Sequence, residues 1–196
     1  MHKFENNYLY RHKSNVINAS LYSRYVENSY EAHSKRVSIL CEMAGVAVQM
    51  PKTEISKLRI SGLYHDIGKK AIDKKILNKK GSLTVNEWNE IKRHPVIGYN
   101  ILCSTLHMPE VAQYVLYHHE RYDGKGYPKG LKQKEIPLMS RILSIVDAYD
   151  AMTNCRVYKE TLNKDMAIQE LIDNKGKQFD PDLVDIIIEK VLKRIV

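Results

Sequence analysis

Histidine and aspartate carry the chemistry this chain could do. Of eight histidines, five stand apart from one another in polar-punctuated places: His33, His65, His94 and the pair His118 and His119. The other three (His2, His12 and His107) have no acidic or histidine neighbour. One imidazole on an apolar helix is ordinarily a hydrogen-bonded core residue, so none of the five argues for a site by itself. The doublets change that. His65-Asp66 and His118-His119 each bring two ligands within reach of one point near a helix end. A carboxylate can bridge two cations while imidazoles fill terminal positions, so this set suits a two-metal site. Asp147 adds a carboxylate inside the apolar run Ile145-Val146-Asp147-Ala148-Tyr149-Asp150. Burying it is costly unless it is paired, Arg141 being one candidate, or bound to metal. No cysteine joins the set, which points to Fe, Mn, Co or Ni rather than a structural zinc.

Lys69 follows Asp66 by three residues and shares its side if the turn stays helical. Beside two cations it would bind a phosphate oxygen or protonate a leaving alkoxide. It also belongs to a crowd of lysines (Lys69, Lys70, Lys74, Lys75, Lys79, Lys80) that suits a solvated loop as well as a substrate funnel. With 31 basic and 23 acidic residues the formal charge is +8, which favours anionic partners. Few aromatics interleave those lysines, so a stacking platform for a nucleic acid polymer is not expected.

Elements must hold these residues in place. The spacing is helical throughout, with no sustained alternation of apolar and polar residues. A weak helix is predicted within Asn15 to Glu27. A stronger one runs from about Tyr30 to Gln49, with Val37, Leu40, Cys41, Ala44 and Val48 as its apolar stripe. Thr53 is expected to cap the next helix, which leads to His65-Asp66. Thr84 and Glu87 form a capping-box pattern for a short helix stopping at His94-Pro95. Further helices follow Pro95, Pro109 and Pro137, and Asp180-Pro181 opens a last one reaching Val196. Asp123 to Pro128 is a loop. The 196 residues, 43% apolar and 28% charged, fit one ordinary domain and exclude a disordered or fibrous chain. No apolar run approaches the ~18 residues of a membrane span, and the start of the chain lacks a secretory pattern. Cys41, Cys103 and Cys155 read as buried free thiols of a cytoplasmic protein. The expectation is a single all-α domain, with residues 1–28 as a helical extension and their tyrosines engaged in packing.

His33, His65-Asp66-Ile67-Gly68-Lys69 and the later Asp147 resemble the HD superfamily of metal-dependent phosphohydrolases. His94-Pro95, the run His118-His119-Glu120-Arg121-Tyr122-Asp123-Gly124-Lys125-Gly126-Tyr127-Pro128, and Gly176 to Pro181 are similar to its HD-GYP subfamily. The match spans roughly residue 29 to the C-terminus, so 29–196 is taken as the HD-GYP domain. The resemblance implies an HD-domain bundle of about seven helices around a binuclear centre that hydrolyses cyclic di-GMP to linear pGpG, with GMP as the alternative end product. It implies that His33, His65, Asp66 and Asp147 hold one metal. Asp66 then bridges to a second, completed by His94, His118 and His119. The two divalent ions would be Fe first, with Mn, Co or Ni as alternatives. Asp66 and Lys69 are the expected catalytic residues, and Lys69, Tyr127, Asp150, Arg156 and Lys159 the expected substrate contacts.

Two departures from the subfamily pattern stand out. Val157 occupies a position where many relatives have proline, and Ser29 one where some have a glutamate that helps hold a third metal. Serine is a poor substitute, so two metals are expected. The alternatives are an HD-type hydrolase for another cyclic dinucleotide or nucleotide, and a signalling or binding module whose catalysis has lapsed. The expected partners are the small-molecule substrate and either a second copy or a sensory protein acting in trans.

Overall fold

A computed structural model describes residues 29–79, 81–154 and 161–195. Among these the regular structure is helical, with one isolated bridge between Lys175 and Phe179. Helix α1 (Ser29–Ala47) lies against α2 (Lys52–Tyr64) and α7 (Leu138–Thr153). Its residues Val37, Leu40, Cys41 and Ala44 recur at helical spacing and are all buried, as the sequence pattern requires. They meet Leu58 of α2 and Ile142, Leu143, Ile145 and Val146 of α7. Helices α8 (Lys164–Asp173) and α9 (Pro181–Lys190) close this core with Ala167, Leu171, Val184, Ile187 and Ile188.

A second, smaller cluster forms where α5 (His94–Ser104) packs on α6 (Pro109–Leu116) and on the 3-10 turn Ile67–Ala71. It buries Ile67, Leu102, Leu106, Val111, Ala112 and Val115. Between that turn and α5 come the one-turn helix α3 (Lys74–Leu77) and α4 (Val85–Ile91). Thr84 and Glu87 cap α4 reciprocally: Glu87 N–H donates to Thr84 Oγ1 and Thr84 N–H to Glu87 Oε2.

Several boundaries differ from the sequence expectation. Helix α2 begins at Lys52 behind Pro51, so Thr53 lies inside it and caps nothing. The last helix stops at Lys190, followed by a separate 3-10 turn, Leu192–Arg194. Helix α8 was not expected; Asn163 caps it by accepting from Met166 N–H at 2.9 Å. The expected helix within 15–27, the 1–28 extension, Cys155, Arg156, Val157 and Lys159 lie outside the described residues, as does the side chain of Ser29.

Candidate metal centre

Three of the histidines stand just beyond a helix end, where carbonyls of the last turn have no partner within the helix. His65 follows α2, His94 follows α4, and His118 follows α6. Each turns its Nδ1 back onto the carbonyl three residues earlier: Gly62 at 2.8 Å, Ile91 at 2.8 Å and Val115 at 2.6 Å. With Nδ1 donating, the proton is fixed there and the Nε2 lone pair is left to point elsewhere. All three Nε2 atoms point into one place. His94 Nε2 lies 3.4 Å from His118 Nε2, and the His65 and His118 ring centres are 5.4 Å apart. The C-termini of α2 and α6, each carrying partial negative charge, end beside this spot.

His33 arrives from α1 and meets two carboxylates of α7. Its Nε2 is 3.1 Å from Asp147 Oδ1 and its Nδ1 is 2.7 Å from Asp150 Oδ2. Burial opposes a charge on His33, but the neighbouring carboxylates of Asp147 and Asp150 prevail and raise its pKa to about 9. Burial dominates at the other end of the cluster, lowering His94 to about 4 and His119 to about 3. Those imidazoles are neutral at pH 7 and available as ligands.

Two groups of ligand atoms emerge, each within 4.8 Å: His33, His65 and Asp66, and His94, His118 and His119. Asp66 faces both, its Oδ2 3.5 Å from His65 Nε2 and its Oδ1 3.4 Å from His94 Nε2. Asp147 Oδ1 lies 3.4 Å from His65 Nε2. Three buried atoms in this space, His65 Nε2, Asp66 Oδ1 and Asp147 Oδ1, have no hydrogen-bond partner. Buried polar atoms left without partners are costly, and a cation at this point would satisfy all three. The donor set is imidazole nitrogen and carboxylate oxygen, which suits a divalent transition metal. The residues fit a metal centre.

Burial tends to raise the Asp66 pKa, but the Lys69 charge and then His65 and His94 outweigh it and hold this carboxyl well below the usual range. Lys69 Nζ sits 2.7 Å from Asp66 Oδ2 because the 3-10 turn keeps the two residues on one side. Tyr127 lies flat against His119, ring centres 4.9 Å apart at 29°. The loop bearing it wraps around Glu120, which is 2% exposed and accepts from the N–H groups of Lys129, Gly130 and Leu131.

Asp150, expected among the substrate contacts, is buried and accepts from His33 Nδ1, both Nε and Nη2 of Arg36, and Asn154 Nδ2. A carboxylate with every lone pair engaged orients His33 and has nothing left for a ligand. Arg141, considered as a partner for Asp147, pairs with Asp180 instead. Arg36 and Glu120 were assigned no role from sequence. The signal for Arg36 was present, since His33 and Arg36 repeat the three-residue spacing of Asp147 and Asp150.

The family model for the HD domain matches residues 20–183. The chain is 37% identical over 166 residues to the cyclic di-GMP phosphodiesterase response regulator RpfG of Xanthomonas campestris, covering 84% of this chain and 44% of that protein. It is 35% identical over 160 residues to a 3'3'-cGAMP-specific phosphodiesterase of Vibrio cholerae, covering 81% and 31%. It thus spans less than half the length of either curated relative. A solved HDG"Y"P protein of Bdellovibrio bacteriovorus superposes with a TM-score of 0.68 over 92% of this chain and 60% of that one, at 21% identity.

Proposed function

The chain belongs to the HD-domain family, and from that membership we propose that it is a metal-dependent phosphodiesterase converting cyclic di-GMP to linear pGpG and onward to GMP. One observation carries the reading most. Two three-residue ligand groups meet at Asp66, which belongs to the first and faces His94 of the second, and buried ligand atoms between them lack partners. We take the centre as binuclear: His33, His65, Asp66 and Asp147 would hold one divalent ion, and Asp66, His94, His118 and His119 the other. Such ions would supply Lewis acidity and an activated water.

The protein's own residues supply the rest. Lys69 brings an ammonium to the edge of the centre, placed to hold a phosphate oxygen and to neutralise charge on the departing ribose oxygen. Tyr127, fixed on His119, forms a wall of the substrate pocket. Arg156 and Lys159 are assigned to the nucleotide phosphates by their match to the HD-GYP pattern. Residues 29–196 would form the catalytic domain, preceded by the 1–28 extension. Regulation would come from a second copy or a sensory partner in trans. No helix among the described residues is long and apolar enough to cross a membrane, and the free thiols of Cys41 and Cys103 suit the cytoplasm.

A second substrate is favoured by one observation. Relatives of nearly equal identity carry names for cyclic di-GMP and for 3'3'-cGAMP. The test is a panel of cyclic dinucleotides incubated with metal-loaded protein, the products being resolved by chromatography. Cyclic di-GMP should be consumed fastest, and Asp66→Asn should abolish turnover. Preferential loss of 3'3'-cGAMP would transfer the assignment to that substrate. No hydrolysis of any member would overturn the phosphodiesterase reading.

A further inference from the structure

Helix α4 ends beside the candidate ligand His94 and is held at both ends. The Thr84–Glu87 box fixes its start, and the carbonyl of Ile91 receives His94 Nδ1 at its finish. Six residues before His94 it carries Trp88, the only tryptophan of the chain. Trp88 keeps 44% of its surface exposed. Such a ring gains free energy when covered, so an exposed tryptophan on a fixed helix is a ready contact for a flat ligand.

What lies around Trp88 says which ligand. Lys92, one turn further along the same helix face, holds its Nζ 5.7 Å from the Trp88 ring centre. The same Nζ is 5.8 Å from the ring centre of Tyr127, which itself stacks on His119. Trp88, Lys92, Tyr127 and His119 therefore form one continuous wall leading out from the candidate ligands. It alternates π-faces with a positive charge, which is the composition that takes bases and phosphates.

We propose that Trp88 and Lys92 form a nucleotide subsite of this wall, Trp88 stacking on a purine ring and Lys92 meeting a phosphate that is not being cleaved. The proposal rests on the phosphodiesterase reading and deepens it. A cyclic dinucleotide has two phosphates, and only one can lie between the ligand groups and Lys69 while the other faces outward. Stacking on an aromatic face is indifferent to the hydrogen-bonding edge of the base. Trp88 thus adds affinity for purine dinucleotides without choosing guanine over adenine, and that choice falls to other residues.

Because Trp88 is the only tryptophan, fluorescence excited at the red edge of indole absorption, where the 13 tyrosines do not absorb, reports on it alone. Metal-loaded protein titrated with a hydrolysis-resistant phosphorothioate analogue of cyclic di-GMP should show saturable quenching, and the cyclic di-AMP analogue should quench equally. In kinetics, Trp88→Ala should raise KM about tenfold with kcat within about twofold. Trp88→Phe should recover most of that loss, and metal content should not change. Lys92→Gln should raise KM and flatten its dependence on salt. Turnover that saturates normally with no change in Trp88 emission would overturn the subsite and leave the phosphodiesterase reading standing. Neither turnover nor quenching with any cyclic dinucleotide would overturn that reading itself.

Discussion

His33 Nδ1 donates to Asp150 Oδ2 at 2.7 Å while His33 Nε2 faces Asp147 Oδ1 at 3.1 Å, so one imidazole on α1 is gripped by two carboxylates one turn apart on α7. Asp150 is in turn clamped by the Arg36 guanidinium. The pair sets the ring's orientation and keeps its Nε2 aimed at the candidate metal position. Removing such an orienting partner ordinarily costs about 10- to 100-fold in metal affinity. Asp150→Ala should show a loss of that size in competition with a chelator. Arg36→Ala should lose less, because Arg36 acts through Asp150 and its side chain is 39% exposed. Unchanged affinity in Asp150→Ala would show that His33 is held by helix packing alone.

A pH effect follows from α4. The Lys79 ammonium, and then the Thr84 N–H, hold the Glu87 carboxyl at about 2, below its ordinary 4.5. The folded-state pKa is depressed, so the contribution is present above pH 4.5 and is lost as the pH falls through about 2. Glu87→Gln keeps the cap geometry but removes the charge. Its melting temperature should fall below wild type at pH 7 by a small margin, since the carboxylate is exposed. That margin should narrow steadily in melts taken from pH 5 down to pH 3. A constant margin would assign the effect to the cap alone.

The ligand types were legible because imidazole and carboxylate doublets are rare and chemically marked. Helix placement was legible where an apolar stripe such as Val37, Leu40, Cys41 and Ala44 met a proline or a capping box. The carbonyls of Gly62, Ile91 and Val115 were not, since every residue has one and its use depends on where a helix ends. Helix α8 was missed because it buries only Ala167 and Leu171, too few for a visible stripe. The grip of Asp150 on His33 was hidden for a geometric reason. Asp147 and Asp150 share one helix face, and only the position of His33 decides which of them looks into the centre.

Gly68 is required by contact. A Cβ built on it would lie 2.0 Å from the carbonyl oxygen of His94 and 2.7 Å from the amide nitrogen of Gly98, both backbone atoms that cannot swing away. The turn carrying Asp66 and Lys69 thus presses directly on the start of α5. Gly68→Ala should separate the two ligand groups at a cost of about 1–3 kcal/mol, the range for overpacking. Thermal melts should show a drop of several degrees, and metal analysis should show less metal per chain. Wild-type stability in this variant would mean that the turn and α5 separate freely.

Glu120 ties the aromatic loop to the histidines, and this tie is testable apart from metal binding. Its carboxylate accepts from Lys129 N–H at 2.6 Å, Gly130 N–H at 3.0 Å and Leu131 N–H at 3.1 Å. Tyr127 N–H donates to the carbonyl of His119 at 3.2 Å, and Gly126 packs so closely that a Cβ there would lie 2.6 Å from the same oxygen. Glu120→Ala strands three donors, and stranding even one in a buried place costs about 1–3 kcal/mol. Glu120→Gln should recover only part of that loss, because its amide nitrogen would face donors where an oxygen now accepts. Both variants should melt lower and show a raised KM for cyclic di-GMP, as Tyr127 loses its fixed seat on His119. Their metal content should match wild type, since Glu120 touches no candidate ligand atom with its carboxylate. A variant with normal KM and a lowered melting temperature would confine Glu120 to holding the fold and remove Tyr127 from the substrate wall.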